Sequence, residues 1–150
     1  MTDLYLQTWQ EARSRFTNLL QNISKEDLLK KIGASPNSAG FLVRHIGDVE
    51  FLYAKNIFGN RELKVSARTV MAKQDTGEWT NLEELLVYQQ QAAEALRAAI
   101  KSQANDAWEE TITTKEFGTK TKAEAMGRII SHTAYHAGQL ALCLKYGVSQ

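Results

Sequence analysis

The stretch TKAEAMGRIISHTAYHAGQLALCLKYG, residues 121–147, decides the fold class. Thr121 and Glu124 at its start have the three-residue spacing of a capping box, in which each side chain satisfies the other's free backbone N–H. At its end Lys145 sits where a cation favours the negative pole of a helix, and Gly147 sits just past the last turn. The spacing predicts one helix from these caps to about Tyr146, with an apolar face to bury.

Working outward, three other windows repeat apolar residues every three and four positions, the periodicity of helices packed on one side. The first spans about Asp3 to Asn22, with Leu4, Trp9, Ala12, Phe16, Leu19 and Leu20 near one stripe. Ser35 followed by Pro36 reads as an N-cap with proline in the first turn of the second helix. Its inner stripe is Phe41, Leu42, His45, Val49, Leu52 and Asn56, and Gly59 is its C-terminal stop. Thr80 and Glu83 repeat the capping-box spacing and open a third helix to about Ser102, with Leu82, Leu85, Leu86, Ala93, Leu96 and Ile100 buried. Between them, residues 60–77 lose the rhythm and read as a long connection closed by Thr76-Gly77. Trp108 to Phe117 is rich in threonine and aromatics and punctuated by Gly118, which predicts a short β-hairpin before the last helix. Four helices with one apolar face each are expected to form an all-α, four-helix bundle, running up-down-up-down or with one crossover.

Composition agrees with one domain over residues 1–150. At this length a fold buries about 70% of the surface its unfolded chain exposes, so a core forms without disulfide staples. With 18 basic and 17 acidic residues scattered along the chain, the net charge is +1, and the basic footprint of a nucleic-acid binder is absent. No run approaches the roughly 18 apolar residues that span a bilayer. The start, Met1-Thr2-Asp3-Leu4, lacks a basic-then-apolar leader, so a cytoplasmic location without membrane association is expected. A single cysteine, Cys143, is compatible with a reducing compartment.

All three histidines, His45, His132 and His136, fall on or beside inward stripes. His132 and His136 are four apart, so about 6 Å of rise and nearly one turn place both rings on the same face. Two imidazole nitrogens about 3.3 Å apart, each roughly 2.05 Å from one ion, suit tetrahedral zinc, and His45 is the one remaining histidine to add a third. The ordinary alternative is three core histidines hydrogen-bonded to carbonyls or carboxylates. A bundle interior offers few free carbonyls, because helices use their own, whereas one cation satisfies three nitrogens. Three neutral ligands leave a position for water or substrate, the pattern of catalytic rather than structural sites. Cys143 lies about 10.5 Å further along the helix than His136, too far to share the ion, and is expected to pack.

The segments Ala39-Gly40-Phe41-Leu42-Val43-Arg44-His45-Ile46-Gly47-Asp48-Val49-Glu50 and His132-Thr133-Ala134-Tyr135-His136-Ala137-Gly138-Gln139-Leu140 together resemble the DinB-like (DinB/YfiT) superfamily of bacterial proteins. The resemblance implies a four-helix bundle, a homodimer, and a divalent metal, zinc or nickel, held by His45, His132 and His136. It also implies a metal-dependent enzyme acting on a small molecule, either a thiol S-transferase using a bacterial low-molecular-weight thiol or a hydrolase. In such a site the metal lowers the pKa of a bound water or thiol. The alternatives are a non-catalytic metal-binding or stress-response protein of the DNA-damage-inducible kind, and a metal-free bundle.

Asp48 and Gln139, each three residues past a histidine, could receive the imidazoles' outer N–H groups, although such spacing arises on any helix. Trp9, Trp79, Trp108 and Tyr135 read as core or interface anchors before pocket walls. Lys115, Lys120 and Lys122 read as a solvated surface, since no phosphate cradle accompanies them.

Overall fold

The computed structural model describes residues 1–149. Five α-helices and four short strands follow in order: α1 (Thr2–Leu20), β1 (Lys30–Lys31), α2 (Ala39–Leu52), α3 (Arg68–Ala72), α4 (Leu82–Lys101), β2 (Thr111–Thr114), β3 (Gly118–Thr121), α5 (Lys122–Tyr146) and β4 (Val148–Ser149). The four long helices form the expected bundle. None of the described helices is long and apolar enough to cross a membrane.

Around the bundle the neighbours run α1, α5, α2, α4: α1 packs on α5 and α4, and α2 packs on the same two. Helices consecutive in sequence, α1 with α2 and α4 with α5, therefore lie across diagonals, which rules out a simple up-down-up-down path between neighbours. Two apolar clusters fill the interior. One gathers Phe16, Leu28, Phe41, Ile46, Trp79 and Leu140, and the other Trp9, Leu96, Ile100, Trp108, Met126 and Ile129. Trp9, Trp79 and Trp108 are thus core residues, whereas Leu4, expected in the stripe of α1, is exposed.

At the centre, α1 and α2 meet across their diagonal through a charged pair. Arg13 donates from Nε and Nη2 to both carboxylate oxygens of Glu50, at 2.8 to 3.1 Å, and from Nη2 to the carbonyl and side-chain oxygens of Gln89 on α4. Burial pushes the Glu50 carboxyl up, and the charge and hydrogen bonds of Arg13 act against that push. Gln89 also donates to the Val43 carbonyl. Gly47 makes the α2–α4 approach possible, since a Cβ there would stand 2.6 Å from Gln89 Nε2 and 2.9 Å from the Tyr88 ring.

Caps explain where the helices begin. For α5 the capping box is present as expected, with Glu124 N donating to Thr121 Oγ1 at 3.1 Å and Thr121 N to Glu124 Oε2 at 2.8 Å. The other two starts are corrected. Ser38, not Ser35, caps α2: its hydroxyl accepts from Phe41 N, and its own N–H is taken by Asp75. Pro36 stays in the preceding loop. Asn81, not Thr80, caps α4 by accepting from Glu84 N, in keeping with asparagine's stronger capping preference.

The C-terminal end of α2 also departs from the expected stripe. A π-helical turn over Tyr53–Ile57 adds a residue to the last turn and buries Tyr53, Ala54 and Ile57, leaving Asn56 exposed. Gly59, at φ +83°, ends it as expected. The hairpin before α5 pairs Thr111–Thr114 with Gly118–Thr121, so its second strand lies beyond the Trp108–Phe117 window. A two-residue pairing of β1 with β4, for which no sequence signal was found, ties the end of the chain to the α1–α2 connection.

Candidate metal centre

His45 lies in the middle of α2 and His132 and His136 on successive turns of α5, and the α2–α5 packing brings the three rings together. One donor atom from each lies within 4.8 Å of the others, among half-buried side chains. His45 Nε2 faces His132 Nε2 at 3.2 Å, and the His132 and His136 ring centroids are 4.4 Å apart. Phe41, one turn before His45, stacks on it nearly parallel, with centroids 5.6 Å apart.

The outer nitrogens define the tautomers. Asp48, buried completely, receives Arg44 Nε at 2.8 Å, Tyr88 Oη at 2.5 Å, and both the N–H and hydroxyl of Thr69 at 2.9 and 2.7 Å. The single hydroxyl proton of Thr69 is directed to that carboxylate, so Thr69 Oγ1 can only accept from His45 Nδ1, 3.0 Å away. His136 Nδ1 donates to Gln139 Oε1 at 2.6 Å. Both rings therefore carry their proton outside and turn a bare Nε2 inward. His132 Nδ1 is buried and finds no partner among the described residues.

Burial keeps all three rings neutral. Desolvation, reinforced by the neighbouring imidazoles, lowers the His45 pKa from the usual 6.5 to about 4 and that of His132 to about 3. That of His136 is also lowered by burial, and its bond to Gln139 opposes the shift. The unfolded chain then binds protons below about pH 6.5 that the metal-free fold refuses, so stability is retained above that pH. It falls as the pH drops towards 4 and then 3. Urea denaturation of metal-free protein is expected to show a loss on the order of 1 kcal/mol for each of His45 and His132 between about pH 6.5 and pH 5, flattened in His45→Gln/His132→Gln.

The donor set fits a divalent cation. With His45 and His136 protonated on their outer nitrogens, His132 can supply one proton at most to two inward lone pairs, so the cluster cannot satisfy itself by hydrogen bonding. One cation bonded at about 2.0–2.1 Å to each nitrogen would satisfy all three, with small side-chain adjustments.

The secondary candidates separate cleanly. Asp48 and Gln139 both join the site, Gln139 directly and Asp48 through Thr69, a residue that no sequence spacing pointed to, since it lies 24 positions from His45. Cys143 packs in the core with Sγ against the Lys30 carbonyl. Lys122 is engaged by Glu110 and Gln103, which breaks up the basic cluster. Tyr135, 65% exposed, stands beside His136 on the wall of a groove. This groove, about 310 Å³, runs between α2 and α5 and is lined by Val49, Tyr53, Arg128, His132 and Tyr135. The concavities beside Arg13 and along the outer face of α4 carry none of the imidazoles.

A family model of the DinB superfamily matches residues 8–140, a span that holds all three histidines, Asp48 and Gln139. No curated protein matches the chain. With that match over most of its length, the helical bundle and the histidine cluster in place, the chain belongs to the DinB superfamily.

Proposed function

We propose that this protein is a divalent-metal-dependent enzyme acting on a small molecule, with His45, His132 and His136 as the ligands and zinc or nickel as the ion. The observation that carries the reading is the cluster of neutral imidazoles with two inward lone pairs fixed by outer hydrogen bonds, opening onto the α2–α5 groove. A cation held there supplies Lewis acidity towards a water or thiol. The chain's own residues hold and shield it: Thr69 and Gln139 orient His45 and His136, and Phe41 covers one face of His45. Val49, Tyr53 and Tyr135 offer the substrate an amphipathic wall, and Arg128, paired with Glu116 at 3.3 Å, adds charge beside it. The reaction classes this arrangement suits are thiol S-transfer from a low-molecular-weight thiol and hydrolysis. We further propose a cytoplasmic homodimer.

Purified protein is expected to carry about one equivalent of zinc or nickel. It should turn over an electrophilic acceptor with one of a panel of bacterial thiols, or hydrolyse an ester or amide, in a manner abolished by chelation and by His45→Ala. Metal without turnover across both panels would make it a non-catalytic metal-binding protein. Protein that neither carries nor takes up metal ends the reading.

A further inference from the structure

The connection between α2 and α4 has no helical rhythm in its sequence, yet it is fastened to α2 at three points. Arg44 Nη2 donates to the Ser66 carbonyl at 3.0 Å, Asp75 accepts from Ser38 N at 2.8 Å, and Asp48 accepts from Thr69 N at the start of α3. The last contact makes Asp48 the cap of a helix too short to stand alone, and it delivers Thr69 to His45. Thr69 is 2% exposed, so water does not compete for its hydroxyl.

We propose that Thr69 is a positioning residue for the metal centre, set by Asp48 so that its hydroxyl oxygen holds His45 in the Nδ1-protonated tautomer with Nε2 turned to the cluster. Three features restrict the hydroxyl to that role. Asp48 cannot turn away, because Arg44 and Tyr88 share its other oxygen and Arg44 itself lies 3.5 Å over the Tyr88 ring. Thr69 cannot turn away either, because its N–H and hydroxyl both go to one carboxylate oxygen. His45, stacked on Phe41, meets no other acceptor at Nδ1 among the described contacts. The carboxylate thus acts on the imidazole through a hydroxyl, in place of the direct carboxylate–histidine contact common around metals.

The inference rests on the reading of the imidazoles as ligands, and the test separates the two. In metal-free wild-type protein at about pH 7.5, long-range proton–nitrogen NMR spectra are expected to show His45 protonated at Nδ1. Thr69→Val, close to threonine in shape, is expected to release that tautomer and to weaken zinc binding about 10- to 100-fold in chelator competition, and Thr69→Ser to restore both. A wild-type His45 protonated at Nε2 overturns the proposal by itself, whatever the variants do. Unchanged tautomer and zinc affinity in Thr69→Val overturn it while leaving the metal reading intact. Wild-type protein that takes up no zinc, but whose His45 tautomer responds to Thr69→Val, keeps the positioning role and discards the metal. Should Thr69→Val fail to fold, Asp48→Asn reports through the same two measurements and is expected to act in the same direction.

Discussion

Replacing His136 by alanine is expected to leave the protein unable to retain its metal through dialysis, with affinity reduced more than about 100-fold. That figure is a lower bound, because loss of a mere supporting partner to a ligand already costs about 10- to 100-fold. Removing His136 takes away one of three donors and leaves Gln139 to find solvent, which its half-buried position permits. The fold itself should survive, since His136 is only half-buried, and removing one crowded imidazole eases the burial of the other two. Elemental analysis gives the direct readout, and thermal unfolding gives a second. Added zinc should raise the melting temperature of wild-type protein, as any ligand selective for the native state does, and leave that of His136→Ala unmoved. Full metal occupancy in the variant would place the ion elsewhere.

The second large effect concerns stability. Glu50→Ala is expected to cost about 3–5 kcal/mol, a large share of the roughly 5–15 kcal/mol that holds a domain together. The cost comes from what is left behind: Arg13, 7% exposed, would keep its charge at the diagonal of the bundle with only Gln89 and Thr17 as neutral partners. Replacing both members, as Arg13→Met with Glu50→Leu, is expected to cost far less than the single change, because no unpaired charge remains. Urea denaturation of the three proteins tests both statements. A single-variant loss below about 1 kcal/mol would mean that water reaches the pair.

Local chemistry explains which parts of this molecule could be read from its sequence. The capping box of α5 lies within four residues and forms as expected, Gly147 ends the helix in an extended rather than a left-handed conformation, and the four-residue spacing of His132 and His136 fixes their common face by helix geometry alone. Ser38 and Asn81 cap these helices in place of Ser35 and Thr80 because neighbouring residues that can each cap a helix are separated by tertiary partners, Asp75 for Ser38 and the burial of Trp79 just ahead of Asn81, to which asparagine's stronger preference adds. Asn56 fell off its stripe because the π-helical turn changes the period locally, and apolar spacing carries no signature of such a turn. The Arg13–Glu50 pair leaves no local pattern, since a buried pair is visible only once the two helices face each other. Thr69 lies in a segment whose helix exists because a carboxylate from α2 caps it, an effect with no local cause to find.

His45 and His132 meet in the folded bundle although 87 positions separate them along the chain. During synthesis at about 5–20 residues per second, the first imidazole leaves the ribosome several seconds before the second. A nascent chain therefore offers a passing ion one nitrogen at a time, and the full triad exists only after the C-terminal helix has been made and docked. Any ion this triad binds is in this way captured late, after α5 has been made and docked.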